Sequence, residues 1–197
     1  MILWLVRHLR TVVSEGVCYG RTDVETHGDP AHEAAELIAR VRRDAPAALF
    51  SSPLKRCRLL ADCIGPAVFD ERLRELDFGK WEMQAWGAIE RDELDAWRAQ
   101  LEHWRVPGGE SLGELAARVA AFLADLRAAA PDSACLVTHA GVIRVVACLL
   151  WRQDLARALD FSVPLGSALR VEWRGDSARL LERRRFGSTR LPPWLAG

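Results

Sequence analysis

The sequence predicts an α/β fold of three layers, α/β/α, built on a mostly parallel central sheet. The apolar run Ile2-Leu3-Trp4-Leu5-Val6 stops abruptly at Arg7-His8, and Cys135-Leu136-Val137 stops at Thr138-His139. Unbroken apolar runs that end this way are central strands covered on both faces. Elsewhere short apolar runs alternate with segments of helical periodicity, the pattern of strands joined by crossover helices. The chain's 197 residues suit one domain with a substantial core, so 1–197 is read as a single unit. Ligands of such sheets bind outside the carboxyl ends of the strands. If the two apolar strands lie parallel and adjacent, His8 and His139 open onto one crevice with Arg7 beside them.

The first run has no basic leader before it and no small-residue cleavage site, so it reads as a strand rather than a signal peptide. Residues 31–43 place Ala34, Leu37, Ile38 and Val41 on one helical stripe, with Arg40, Arg42 and Arg43 at the end where cations suit the helix dipole. Ala47 to Ser51 reads as a short strand. Ser52-Pro53 then reads as an N-cap followed by proline at the first helical position, opening a helix from Pro53 to Ile64. Ala67-Val68-Phe69 is a third strand. Residues 80–108 carry Trp81, Trp86, Trp97 and Trp104 among charges and end in Pro107-Gly108-Gly109; they are expected to form short helices capping the active site. Ser111-Leu112-Gly113-Glu114 matches a capping box, and Leu115, Val119, Phe122, Leu123 and Leu126 continue the stripe. A strand around Cys135 to Thr138, a helix from Val142 to Trp151, and strands at Leu169–Trp173 and Arg179–Arg183 complete the reading.

Composition narrows the function. The 27 basic and 27 acidic residues cancel, leaving no global field to gather nucleic acid or an anionic membrane. The longest later apolar segment, Val142 to Trp151, is interrupted by Arg144 and is about half the length a bilayer requires. A cytoplasmic protein is expected. Cys18, Cys57, Cys63, Cys135 and Cys148 are odd in number, form no Cys-x-x-Cys pair and lie mostly among apolar residues, which suits reduced core thiols. No Cys/His cluster has metal-ligand spacing, and His27 and His32, five apart, do not share a helical face. The expectation is therefore no metal and no cofactor.

Four patterns carry chemistry. Arg7-His8 at a strand end suits a phosphoryl centre, because guanidinium matches phosphate oxygens bidentately and a neutral imidazole nitrogen is a nucleophile near pH 7. Arg56 lies on the first turn of a helix that itself starts at a strand end, where free N–H groups favour anions; Arg56, or Lys55 beside it, would act on the same phosphate. Leu73 to Glu82 supplies carboxylates beside Phe78 and Trp81, so that Glu75 or Asp77 could hold a proton for a leaving alkoxide. His139 could donate to a phosphate oxygen, and the small Ala140-Gly141 after it lets the backbone approach a ligand. Taken singly, each pattern also fits solvated charge or an ordinary structural histidine. Their joint occurrence, in an order that suits one α/β sheet, favours a phosphate site.

With these residues in view, the chain resembles the histidine phosphatase, or phosphoglycerate mutase-like, superfamily over nearly its full length. Arg7-His8 match that family's Arg-His-Gly, Ser52-Pro53-Leu54-Lys55-Arg56 its Ser-Pro-Leu-x-Arg, and Leu73 to Glu82 its Leu-x-Glu-x-Asp-Phe-Gly-x-Trp-Glu. Thr138-His139-Ala140-Gly141 carries its second histidine, and Gly109-Glu110-Ser111 its Gly-Glu-Ser segment. Cys18 to Val24 is similar to the α-ribazole phosphatase branch, which implies substrate contacts from Tyr19, Arg21 and Thr22. Three positions depart. Leu9 stands at the glycine position, so that either the backbone there tolerates a β-carbon or the pocket is distorted. Arg10 stands where many relatives carry glutamate or glutamine, and Ser14 where many carry a phosphate-binding asparagine.

The resemblance implies a metal-independent phosphomonoester hydrolase working through a phosphohistidine on His8. Arg7, Arg56, His139, Ser14 and Ala140 would hold phosphate, and Glu75 would act as acid and then base. The expected partner is a small phosphorylated metabolite, α-ribazole 5′-phosphate among the candidates, with neither nucleic acid nor membrane involved; a homodimer stays open. Two alternatives are a phosphoglycerate mutase, for which the chain has limited material between Glu82 and Gly108 to build a lid, and a catalytically silent phospholigand-binding protein.

Overall fold

The computed structural model describes residues 1–186 and 190–196. Six strands form one sheet in the order β3-β2-β4-β1-β5-β6: β1 Ile2–Arg7, β2 Ala48–Ser51, β3 Val68–Phe69, β4 Ser133–Thr138, β5 Ala168–Arg174 and β6 Ser177–Arg184. The pairings β1–β4, β2–β4 and β2–β3 are parallel, while β1–β5 and β5–β6 are antiparallel. The helices are α1 Pro30–Glu33, α2 Ala35–Asp44, α3 Lys55–Ile64, α4 Arg91–Ala99, α5 Leu112–Ala129, α6 Ala140–Leu150 and α7 Pro193–Ala196. No helix among the described residues is long and apolar enough to cross a membrane.

The central strands are apolar throughout because alternate side chains enter two separate cores. Leu3 and Leu5 join Leu136, Leu169 and the buried faces of α5 and α6; Trp4 and Val6 join Cys135, Val137 and the buried faces of α2 and α3. That is the three-layer arrangement. The four cysteines Cys18, Cys57, Cys135 and Cys148 are buried free thiols and Cys63 is half-buried. Burial pushes the Cys57 thiol up to about 12.

Two helix starts differ from the sequence expectation. The stripe at 31–43 is two helices, broken at Ala34, whose φ of −115° and ψ of 19° leave the helical region. Asp29 starts the first by accepting from the N–H of Ala31, with Pro30 at its opening position. The helix expected at Pro53 begins at Lys55 instead. Its first turn is served from a distance by Asp23, whose Oδ1 accepts the N–H of Lys55 at 2.7 Å. Ser52 Oγ accepts the N–H of Leu54, just ahead of the helix, at 3.3 Å. The capping box at Ser111 forms in both directions, Ser111 accepting from Glu114 N–H and Glu114 from Ser111 N–H.

The segment 78–106 carries a third apolar cluster of its own. Trp81, Ile89, Leu94, Val106 and Cys18 are its buried members, with Phe78, Trp86, Trp97 and Trp104 packed against them. Trp81 stacks on Trp104 and Trp86 on Trp97, at ring separations of 5.4 and 6.2 Å.

Candidate active site

Register builds the floor of the site. Arg7 of β1 pairs with Thr138 of β4, and Ser51 of β2 with Val137, so the residues that follow, His8, His139 and Ser52, leave the sheet side by side. The His8 N–H donates to Thr138 O at 3.0 Å. From here the chain after β1 runs to β2 on one side and the chain after β4 runs to β5 on the other, which opens a crevice at the carboxyl ends of the strands. A cavity of about 270 Å³ lies there, lined by Arg7, His8, Tyr19, Arg56, Glu75, Phe78, Trp86, Ala140 and Arg144, with Val17, Cys18 and Gly20.

His8 is 2% exposed. Burial, then the cations Arg56 and Arg7, holds its imidazole well below the usual histidine range, so the ring is neutral. Its Nδ1 lies 2.8 Å from the carbonyl of Leu9. A carbonyl only accepts, so Nδ1 carries the proton and Nε2 keeps its lone pair. That is the tautomer a nucleophile needs.

The Leu9 side chain is buried in the core shared by Trp4, Val6 and Ala168, and the residue does not adopt a positive φ. A β-carbon is therefore accommodated at this position without entering the cavity.

Both arginines are tethered through part of their guanidinium. Arg56 donates from its two terminal nitrogens to Gly20 O at 2.6 Å and Thr22 O at 2.8 Å, and Arg7 from Nη1 to Val163 O. The Nε of each is buried without a partner. Burial lowers the Arg7 pKa, with Glu75 opposing.

Glu75 sits at the start of α6, where its carboxylate accepts the N–H of Gly141 at 3.1 Å and that of Leu76 at 3.0 Å. A β-carbon at position 141 would push the Glu75 carboxylate out of this place. The backbone leading to Glu75 is clamped from α5 and β4. Arg118 donates to the carbonyls of Arg72, Arg74 and Glu75, and Thr138 Oγ1 to that of Leu73.

His139 is fully buried and packs edge-on to His8, ring centroids 5.2 Å apart. Its Nε2 lies 2.8 Å from Ser52 Oγ, so the ring stands behind His8 rather than on the cavity wall. Burial, then Arg56, keeps it neutral as well.

Three expected ligand residues lie elsewhere. Ser14 is exposed and lines, with Arg10 and Thr11, a neighbouring cavity that shares Arg7, Val17 and Tyr19 with the first. Arg21 and Thr22 are held by the rim instead of facing into the cavity. Arg21 pairs with Glu110 at 2.7 Å, while Glu82 accepts from the N–H groups of Arg21 and Thr22, each at 2.6 Å, and from the Thr22 hydroxyl. Asp77, the alternative acid, instead caps Gly79 N–H and faces Arg21. Lys55, the alternative to Arg56, points to Glu25. The sequence reading missed Arg144. Its only signal was a charge in an otherwise apolar helix, four residues after Ala140 and hence on the same face.

The sequence profile of the histidine phosphatase superfamily, branch 1, matches residues 3–185. The chain belongs to the histidine phosphatase superfamily. This histidine phosphatase is 26% identical to the "Putative phosphoserine phosphatase 2" of Hydrogenobacter thermophilus, over 95% of this chain and 97% of that one. It is 35% identical over 132 residues to the "Probable phosphoglycerate mutase GpmB" of Salmonella paratyphi C, a match spanning 62% of this chain and 61% of the relative. The solved α-ribazole phosphatase of Shigella flexneri shares the fold, with a TM-score of 0.82 at 22% identity over 100% of this chain and 98% of that one.

Proposed function

We propose that this histidine phosphatase hydrolyses a small phosphomonoester through a covalent phosphohistidine on His8, without a metal. The observation that carries the reading is the His8 tautomer. The Leu9 carbonyl fixes the proton on Nδ1, and burial with two arginines nearby keeps the ring neutral on the cavity floor.

Nε2 of His8 attacks phosphorus as the P–O bond to the alcohol breaks, and Glu75 gives its proton to the departing oxygen. Glu75 then takes a proton from water, which attacks phosphorus and breaks the P–N bond, releasing phosphate and neutral His8. Arg7 and Arg56 neutralise the equatorial oxygens, the electrostatic part of the work in phosphoryl transfer. His139, hydrogen-bonded to Ser52 Oγ and packed edge-on to His8, backs the nucleophile rather than touching the phosphate. The substrate is a metabolite small enough for this cavity, with α-ribazole 5′-phosphate, phosphoserine and 3-phosphoglycerate as candidates.

Rapid quenching of the enzyme during turnover of a ³²P-labelled monoester should yield an acid-labile, base-stable phosphoenzyme, absent from His8→Ala. Turnover persisting in excess chelator is expected too. Undiminished hydrolysis by His8→Ala would overturn the covalent route. Because some relatives bear a mutase name, 3-phosphoglycerate is the substrate that separates the two readings. Free phosphate without an isomer is the phosphatase outcome.

A further inference from the structure

The cavity holds more positive charge than a phosphoryl group uses. Arg7, Arg56 and Arg144 line it against the single carboxylate of Glu75. Arg7 and Arg56 line the cavity together with His8, the nucleophile, and are assigned to the transferred group. Arg144 enters the same cavity from a different element, α6, one turn beyond Ala140, within reach of the charges of Glu75 and Arg7. Its Nε–H donates to Phe161 O at 3.0 Å, which fixes the guanidinium plane. Among the described residues no carboxylate forms an ion pair with it. An arginine half-withdrawn from water, anchored by one nitrogen and unpaired at the other two, is arranged to receive an anion. Phe78, Trp86 and Val17 supply apolar wall to the same cavity.

We infer that Arg144 is a specificity-determining subsite for a second anion, a carboxylate on the leaving alcohol, so that the preferred substrates are phosphomonoesters of small hydroxy acids. The inference rests on the phosphatase reading and deepens it. A leaving alcohol that gains its proton from Glu75 must lie on the α6 side of the phosphorus, and that is where Arg144 projects. A neutral leaving group, such as that of α-ribazole 5′-phosphate, leaves the partly desolvated Arg144 cation with Glu75 alone to offset it.

The test compares two substrates of nearly equal shape, 3-phosphoglycerate and glycerol 3-phosphate, which differ by a carboxylate against a hydroxymethyl. The wild-type enzyme should favour the acid by about tenfold or more in kcat/KM, the worth of one charge-assisted hydrogen bond. In Arg144→Met the ratio should fall towards one, and Arg144→Lys should restore part of it. A wild-type ratio near one, with phosphohistidine still trapped, overturns the subsite and leaves the phosphatase reading standing. A wild-type preference that survives in Arg144→Met also overturns it, by assigning the discrimination to another group. Absence of both turnover and phosphohistidine for either substrate removes the two readings together.

Discussion

The floor of the cavity and its rim are held by different physics. On the floor, His8, His139 and Ser52 are placed by a parallel ladder whose strands are buried in two cores, and their positions follow from strand register. On the rim, the 17–22 loop and the 75–82 segment are placed by ionised side chains reaching backbone groups far away in sequence. Glu82 accepts from Arg21, Thr22 and Phe78, and Glu110 accepts from Asp77 N–H while pairing with Arg21 and Arg118. Gly20 allows this closeness, since a β-carbon there would collide with Leu76 O and Glu82. A ladder is cooperative and hard to shift locally. A carboxylate hub can be removed by one substitution.

The strongest expected effects are on the floor and its facing acid. His8→Ala should lower kcat by about 10⁴-fold or more, because it removes the nucleophile. Steady-state assay with p-nitrophenyl phosphate checks it. Glu75→Gln should lower kcat for an alkyl phosphate by about 10²–10⁴-fold and spare p-nitrophenyl phosphate, whose leaving group needs little protonation. Equal losses on both would show that Glu75 serves another role.

On the rim, Glu82→Gln removes the charge that gathers the 17–22 loop. It should lower stability by about 2 kcal/mol, or about 4–8 °C in Tm, and raise KM more than it lowers kcat. Calorimetry with a substrate titration would reveal this; an unchanged Tm would mean the loop is held without the hub.

The same contrast governs what could be read from the sequence. The floor was legible because apolar runs that end in Arg-His and Thr-His imply buried strands, and buried strands fix where the next residue goes. The two cores and the capping box are equally local statements. The rim was not legible, because nothing near Thr22 says that its hydroxyl will meet Glu82. Arg21 looked like a ligand residue for the same reason, its partner Glu110 being 89 residues away. Arg144 was visible only as an interruption of an apolar segment. The helix spacing that puts it on the cavity wall with Ala140 becomes informative once α6 is known to start at Ala140 rather than Val142.

The smallest effect is also the one that separates floor from rim most cleanly. His8 and His139 are both buried and neutral, with pKa values well below the ordinary 6.5, first from burial and then from Arg56. In the unfolded chain both take up protons near pH 6.5. Below that pH the unfolded state binds more protons than the folded one, so stability is fully present above about 6.5 and declines as pH falls towards the lowered folded values. Each histidine contributes at most about 1.4 kcal/mol per pH unit in that window. Carboxylates such as Asp70, whose pKa Arg72 holds below the ordinary 3.8, contribute in a separate window at lower pH. Urea midpoints at pH 7.5, 6.5 and 5.5 should therefore fall in the wild type and fall less steeply in His8→Asn. Glu82→Gln should lower all three midpoints by a similar amount without changing the slope, since a rim hydrogen bond does not depend on these two protons. A flat wild-type profile between pH 7.5 and 5.5 would mean that the floor imidazoles are not held neutral, and the nucleophile assigned to His8 would lose its physical basis.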